Sequence, residues 1–369
     1  MKNRIYDKLW LFIKIMTIKI QIILLLLSGK EKRKLKITRF TELDESFSSV
    51  CFYVVYSKNI DLSRRRFLQS LKKINSYVIV ILNNDKIEID QCDLNLIDSI
   101  YYNDNIGMDI GGYKRASEHF YESIDASKIP NKIIYANDSL FYIDENKECF
   151  EALIDNKANW VGIFENSGLG RYHVSSWLFS ISKDLFLSDE IRKYWKNYKP
   201  INNKYHAIHA GEHGITKVLL KLGVVPKIVY SNKIINEILV RYLQLDFFNT
   251  YNYLSTEFTN YINSTGINAA TDLELKSLIY RISDSFYLVS PMHLVQLLFL
   301  KHTRYSFIKK DLFWNERLSY AKLKLLDELL ESKCAFGERS DILNYFLNRG
   351  RLRDADFKTR MFVRLGIGS

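Results

Sequence analysis

The spacing of apolar residues changes character twice along this chain. Leu9 to Leu27 reads LWLFIKIMTIKIQIILLLL, long enough to cross a bilayer but broken by Lys14, Thr17, Lys19 and Gln21. At about 100° per residue, Asp7, Lys14, Gln21 and Ser28 fall on one slowly drifting stripe with Thr17 beside it, opposite a broad apolar face. That pattern predicts a helix lying in a membrane interface. A helix buried on the protein body and a true spanning helix are the alternatives. A cleaved leader fits less well, because lysines interrupt the apolar run and no small-residue cleavage site follows Leu27.

From Ser49 the period shortens. VCFYVVYS (50–57) predicts a strand, followed by a helix from about Ser63, as N-cap, to Ile74, and by a second strand, YVIVILNN (77–84). SIYYN (99–103) and KIIYAND (132–138) predict two more strands around a helix from about Gly112 to Ser123. WVGIFEN (160–166) and SSWLFSISKDLF (175–186) also read as strands, then helices near 189–198 and 212–222, then VVPKIVY (224–230). Strands alternating with helices predict an α/β domain on a mainly parallel sheet. After about Ile234 only helical periodicity persists. The expected organisation is a basic membrane-associated segment over 1–45, an α/β domain over 46–233 and a helical region over 234–369.

Charge sharpens this division. The chain of 369 residues carries 53 basic and 42 acidic side chains, a net of +11. Residues 1–36 hold ten basic groups against Asp7 and Glu31, so +8 of the excess is N-terminal. The basic run KEKRKLK (30–36) adds roughly 1 kcal/mol of attraction per charge near an anionic leaflet, which favours attachment to the cytoplasmic face of the inner membrane. The remaining net of +3 gives no footprint for nucleic acid, which is not expected as a partner. Cys51, Cys92, Cys149 and Cys334 are scattered, so neither a disulfide framework nor a structural zinc site is indicated.

The sequence lacks a Walker A loop, a GxSxG elbow, an HExxH helix and a GxGxxG fingerprint, which removes the commonest nucleotide-hydrolase, esterase, metalloprotease and dinucleotide readings. Three polar clusters remain. In NDNIGMDIGGYKRA (103–116), Gly107, Gly111 and Gly112 allow close backbone approach, the new helix start favours an anion, and Asn105 and Asp109 can hydrogen-bond a base or ribose. The same residues could simply cap the helix. Asn137, Asp138 and Ser139 follow a hydrophobic strand, where Asp138 could hold a divalent cation or merely form an Asx-turn. In HAIHAGEHG (206–214), Glu212 at a helix start could take a proton from an attacking hydroxyl or complement the helix dipole. His206, His209 and His213 raise a zinc possibility, weakened by Gly211 between the last two.

NxGxDxGxYK at 105–114, NDS at 137–139, HVSSWLFSISKDLF at 173–186 and GEHGITKVLLKLG at 211–223 together resemble the rhamnan synthesis protein F family. PMH at 291–293 and FIKKDLFWNE at 307–316 resemble its C-terminal part. The resemblance implies transfer of a sugar, rhamnose being one candidate, from a nucleotide-sugar donor to a lipid-linked cell-surface polysaccharide or O-antigen acceptor. The order is also similar to inverting glycosyltransferases with the GT-A fold, a nucleotide-binding sheet flanked by helices. On that comparison Asn137, Asp138 and Ser139 stand at the place of the metal-binding DxD motif and Glu212 at that of the base. Asn105, Gly107 and Asp109 would then bind the donor, Asp138 a Mg or Mn ion, and His173 and Trp177 the acceptor, although Trp177 equally suits a core. NDS has one acid where DxD has two. That departure motivates a second reading, a non-catalytic glycan-binding assembly factor with a degenerate transferase fold.

Overall fold

The computed structural model of this chain describes residues 2–30, 35–56, 60–83, 89–167, 171–256, 291–314, 318, 319 and 321–367, with isolated positions between 257 and 290. Of the basic run at 30–36, positions 31–34 lie outside the described residues, as do Ser57, Asn84 and the end of FIKKDLFWNE.

A nine-stranded mixed sheet forms the centre. In chain order its strands are β1 (Lys36–Arg39), β2 (Ser49–Val55), β3 (Ser76–Leu82), β4 (Ser99–Tyr102), β5 (Lys132–Asn137), then, after the short β6 (Leu140–Tyr142) outside it, β7 (Trp160–Asn166), β8 (His173–Val174), β9 (Leu178–Ser182) and β10 (Lys227–Tyr230). Their spatial order is β1-β4-β3-β2-β5-β9-β7-β10, with β8 paired to β7. β2 runs parallel to β3 and β5, and β3 to β4, while β9 is antiparallel to both β5 and β7 and β1 is antiparallel to β4. Six of the nine strands therefore run in one direction, and β1, β8 and β9 are reversed.

All seven residues of β2 are buried, and so are all seven of β3. A strand without a solvent face needs cover on both sides. Cys51, Tyr53 and Val55 point into one core with Phe67, Leu68 and Leu71 of the Leu62–Lys73 helix. Val50, Phe52 and Val54 point into the other, with Tyr113, Ala116 and Phe120 of the Met108–Ser123 helix and Trp195 of the Asp189–Asn197 helix.

Several boundaries differ from the expectation for identifiable reasons. Asp61, not Ser63, caps the Leu62–Lys73 helix, accepting from the Arg64 N–H at 2.8 Å, and the Ser63 hydroxyl instead accepts from the Tyr142 N–H at 2.6 Å. The run at 175–186 is a strand only over Leu178–Ser182, because Ser182 then caps a helix at Lys183–Leu187. The C-terminal region is mostly helical, with helices at Pro291–His302, Ala321–Glu331, Phe336–Arg349 and Phe357–Leu365, yet it contributes β11 (Phe307–Lys309), antiparallel to β6. That pairing and a shared core containing Leu297, Leu326 and Phe346 knit this region to the sheet.

The N-terminal helix, Lys2–Ser28, has the expected two faces, but its polar stripe faces the protein. Gln21 accepts from the Asn203 side chain at 3.1 Å, Lys14 lies 5.1 Å from the Tyr205 ring centre, and Leu25 packs with Ile106 and Ile201. Leu9, Phe12, Ile20, Ile23, Leu24 and Leu27 remain exposed on the outer side. Asn203 is fully buried and joins three elements: it donates to Gln21 and to the Leu365 carbonyl at 3.0 Å and accepts from the His206 N–H at 3.1 Å. Replacing it orphans buried polar partners. Asn203→Ala is expected to cost about 1–3 kcal/mol, read by denaturant unfolding, and an unchanged midpoint would show that this junction carries no stability.

Candidate functional site

The chain lays β2, β3 and β4 side by side in one direction and then returns to place β5 on the other flank of β2. The reversal opens a crevice beyond the C-terminal ends of β2 and β5, where ligands of open α/β sheets bind. Asp109, Asn137 and Asp138 meet at this edge, with Glu212 close enough for its charge to act on Asp109.

Asp109, in the first turn of the Met108–Ser123 helix, accepts from the Asn137 side chain at 2.6 Å and from the Ile110 N–H at 3.0 Å. Burial, reinforced by the charge of Glu212, pushes its carboxyl up to about 6. Glu212 accepts from the Ser176 hydroxyl at 2.5 Å and lies 3.5 Å from the His173 Nε2. Burial raises it too, against the opposing effects of Ser176, Lys309 and Lys204. Two carboxylates thus share a partly dry pocket, both held nearer to neutrality than exposed acids.

Glu212 is not at a helix start. Lys204–His206 leads through a π-helical stretch, Ala207–Glu212, directly into the helix His213–Lys221. The dipole explanation for an acid at this position therefore falls, since that effect belongs to the first turn. The wide turn is held from outside: Tyr194 donates its hydroxyl to the Ala210 and Gly211 carbonyls at 3.1 and 2.9 Å. Gly211 is required there, because a Cβ would come within 2.8 Å of Ile110. Such π segments often mark functional positions.

The glycine loop is built differently from the expectation. Asp104, Asn105, Gly107 and Met108 all have positive φ, and Gly107 abuts Pro200, where a Cβ would lie at 2.3 Å. The N–H groups of Gly107 and Met108 point to the Asn202 side-chain oxygen at 2.7 and 3.3 Å, and Asn202 in turn donates to the Asn105 carbonyl at 2.7 Å. A side chain of the protein thus occupies the anion position at this helix start. Asn105 itself is exposed beside it.

Asp138 accepts at one oxygen from the Tyr56 N–H at 3.2 Å and from the Arg64 Nε at 3.3 Å, in a pair buried on both sides. Lys310, buried next to β11, also feels Asp138, and burial brings it down to about 8. One carboxylate already serving two cations is a poor donor set for Mg or Mn, which require several oxygen ligands, so the expected metal role does not fit Asp138. Ser139 N–H closes onto Asn137 at 3.1 Å, and the Ser139 carbonyl accepts from the Lys310 N–H at 3.0 Å.

His173 lies beside Glu212, its ring 4.2 Å from that of His213. His209 and His213 are drawn down to about 4, chiefly by burial, and stay neutral near pH 7. His206 turns away to the Lys199 carbonyl at 2.8 Å, and among the described residues the histidine nitrogens do not converge on a metal position. Trp177 is only 6% exposed, wedged between Phe164 and Phe307 at 5.3 and 5.2 Å, and so takes the core role rather than presenting a ring face beside Glu212. Ser176, Arg64, Lys310, Tyr194 and Asn202 escaped sequence reasoning. Only the lysine pair before Asp311 left a signal, within the C-terminal resemblance.

The fold and the site define a mixed α/β protein with two partly buried carboxylates, both raised, at its sheet switch. The family model described as rhamnan synthesis protein F matches residues 78–253, which bears out the resemblance and ties this part of the chain to that family and to cell-surface polysaccharide synthesis. No curated protein matches the chain. The matched stretch contains Asn105, Asp109, Asn137, Asp138 and Glu212, whereas Arg64 and Lys310 lie outside it.

The raised Asp109 has a measurable consequence. A carboxyl whose folded pKa exceeds its unfolded value binds more protons when folded, so its contribution falls as pH rises from about 4 to about 6. Asp109→Asn retains an acceptor for Asn137 and removes that dependence. Its melting temperature relative to the unsubstituted protein should therefore rise between pH 4 and pH 7, and a flat difference would place Asp109 in water.

Proposed function

We propose that the protein is a GT-A-like glycosyltransferase that inverts the anomeric carbon of a nucleotide-sugar donor, rhamnose being one candidate sugar, and transfers it to a lipid-linked polysaccharide or O-antigen acceptor. The observation that carries this reading is Glu212: a half-buried carboxylate raised by desolvation, held by the Ser176 hydroxyl beside the His173 ring, and close enough to Asp109 for its charge to act there. A carboxylate with a raised pKa is a stronger base for the proton it takes. It takes the proton of the acceptor hydroxyl as that oxygen attacks the sugar carbon, and the nucleotide diphosphate departs. Asp109 and Asn105 hold the nucleoside side, with Asn137 orienting Asp109.

The departing diphosphate needs positive charge. Since Asp138 fits a cation poorly, we assign that role to Lys309 and Lys310 at the end of β11. On this reading Asp138 positions Arg64 and Lys310. The acceptor's lipid agrees with the N-terminal helix: Lys8–Ser28 is apolar and long enough to span a bilayer, and its exposed face suits attachment to the cytoplasmic surface.

Glu212→Gln should lower turnover roughly 100-fold or more with donor affinity nearly unchanged, assayed with a panel of nucleotide sugars and a lipid-linked acceptor. Near-normal turnover would remove Glu212 from the chemistry, and failure to bind any nucleotide sugar would favour the non-catalytic assembly factor. Lys309→Met should weaken donor binding about tenfold, while chelation with EDTA leaves transfer intact. Loss of transfer on chelation, restored by Mg or Mn, would return the charge-neutralising role to a metal.

A further inference from the structure

The N-terminal helix does not seal against the body along its whole length. Between it and the helices Asp189–Asn197 and His213–Lys221 lies a groove of about 600 Å³, whose walls include Ile22, Tyr194, Tyr198, Val218 and Leu222. This volume is in the range of small-molecule sites. Lys193, Lys199 and Lys221 also line it, with Glu190 the one acid among the described residues there.

Three features say what the groove holds. Its walls are chiefly apolar, and Ile22 carries that lining onto the N-terminal helix, whose next residue, Ile23, is exposed on the apolar outer face. Its cationic side chains complement an anion. Tyr198, 5% exposed, lines the groove, and its hydroxyl has no hydrogen-bond partner among the described residues. The charges of Asp109 and Glu212 both reach that hydroxyl, which puts the groove next to the carboxylate pocket.

We propose that this groove binds the hydrocarbon chain of a single-chain lipid phosphate, with Lys193, Lys199 and Lys221 holding the phosphate, and that this lipid carries the acceptor sugar to Glu212. The carrier role rests on the transferase reading; the lipid site does not. The N-terminal helix then acts as one wall of the binding site as well as an anchor. Its docking through Gln21 and Leu25 sets the width of the groove.

The test uses the full chain in phosphatidylcholine nanodiscs with a diazirine-bearing farnesyl phosphate, photolysed and mapped by mass spectrometry. Label is expected on peptides containing Tyr194, Val218 and Leu222. Val218→Trp, which fills the groove, should reduce it about tenfold, and Val218→Leu should retain it, which separates filling from misfolding. Farnesyl phosphate should compete, whereas farnesol and inorganic phosphate at equal concentration should not. Label confined to Leu9–Leu27, equal labelling of Val218→Trp, or equal competition by farnesol would overturn the proposal. No donor enters this experiment: labelling without sugar transfer by any nucleotide sugar would sink the transferase reading and leave the groove, while transfer without groove labelling would do the reverse.

Discussion

Strand β2 is the constraint on which the rest depends. Each of its seven residues pairs with a residue of β3, and six pair with β5, and none reaches solvent. Parallel neighbours on both sides require crossovers of a dozen or so residues, and two buried faces require those crossovers to lie on opposite sides. The Leu62–Lys73 and Met108–Ser123 helices meet that demand. Because the chain must return across β2 to lay down β5, the crevice at their C-terminal ends follows from the topology. Asp138 donates its N–H to the Val54 carbonyl at 3.1 Å, so the first residue beyond β5 is already hung on β2.

The electrostatics of the crevice follow from burial rather than from an excess of one charge. Four of its groups show this: Asp109 rises to about 6, Lys310 falls to about 8, and His209 and His213 fall to about 4. All of these shifts move groups toward neutrality, as desolvation requires. The pocket consequently contains proton acceptors and donors whose affinities lie closer together than they would in water. Proton transfer between matched groups is what acid–base chemistry uses.

The strands around β2 were legible because fully buried parallel strands are continuous apolar runs, and VCFYVV and YVIVIL can be little else. The residues at the strand ends were legible for the same reason, since a polar triplet interrupting such a run marks its edge. At Glu212 the backbone departs from the expectation: glycine suggests a helix start, whereas Gly211 is there for the contact with Ile110, a partner about a hundred residues away. Gly107 misled likewise, its neighbour being Pro200. Ser176, Asn202 and Arg64 act through tertiary partners 36, 94 to 97 and 74 residues distant, and no local pattern announces such contacts. The β11–β6 pair was hidden because a three-residue strand has too few alternations to show a period.

The N-terminal helix shows how a correct periodicity can leave the direction open. Lys14, Gln21 and Leu25, seven and then four residues apart, fall on one side of the helix, which fixes one stripe but not whether it meets water or protein. The structure resolves this through buried Asn203, which has a donor to spare for Gln21 only if the polar stripe turns inward. An inward polar stripe leaves the apolar residues outside, and a soluble protein rarely leaves so long an apolar face uncovered. Hydrogen bonding to the body and contact with lipid are therefore not competing fates of this helix. The first orients it and leaves an apolar face open to the second.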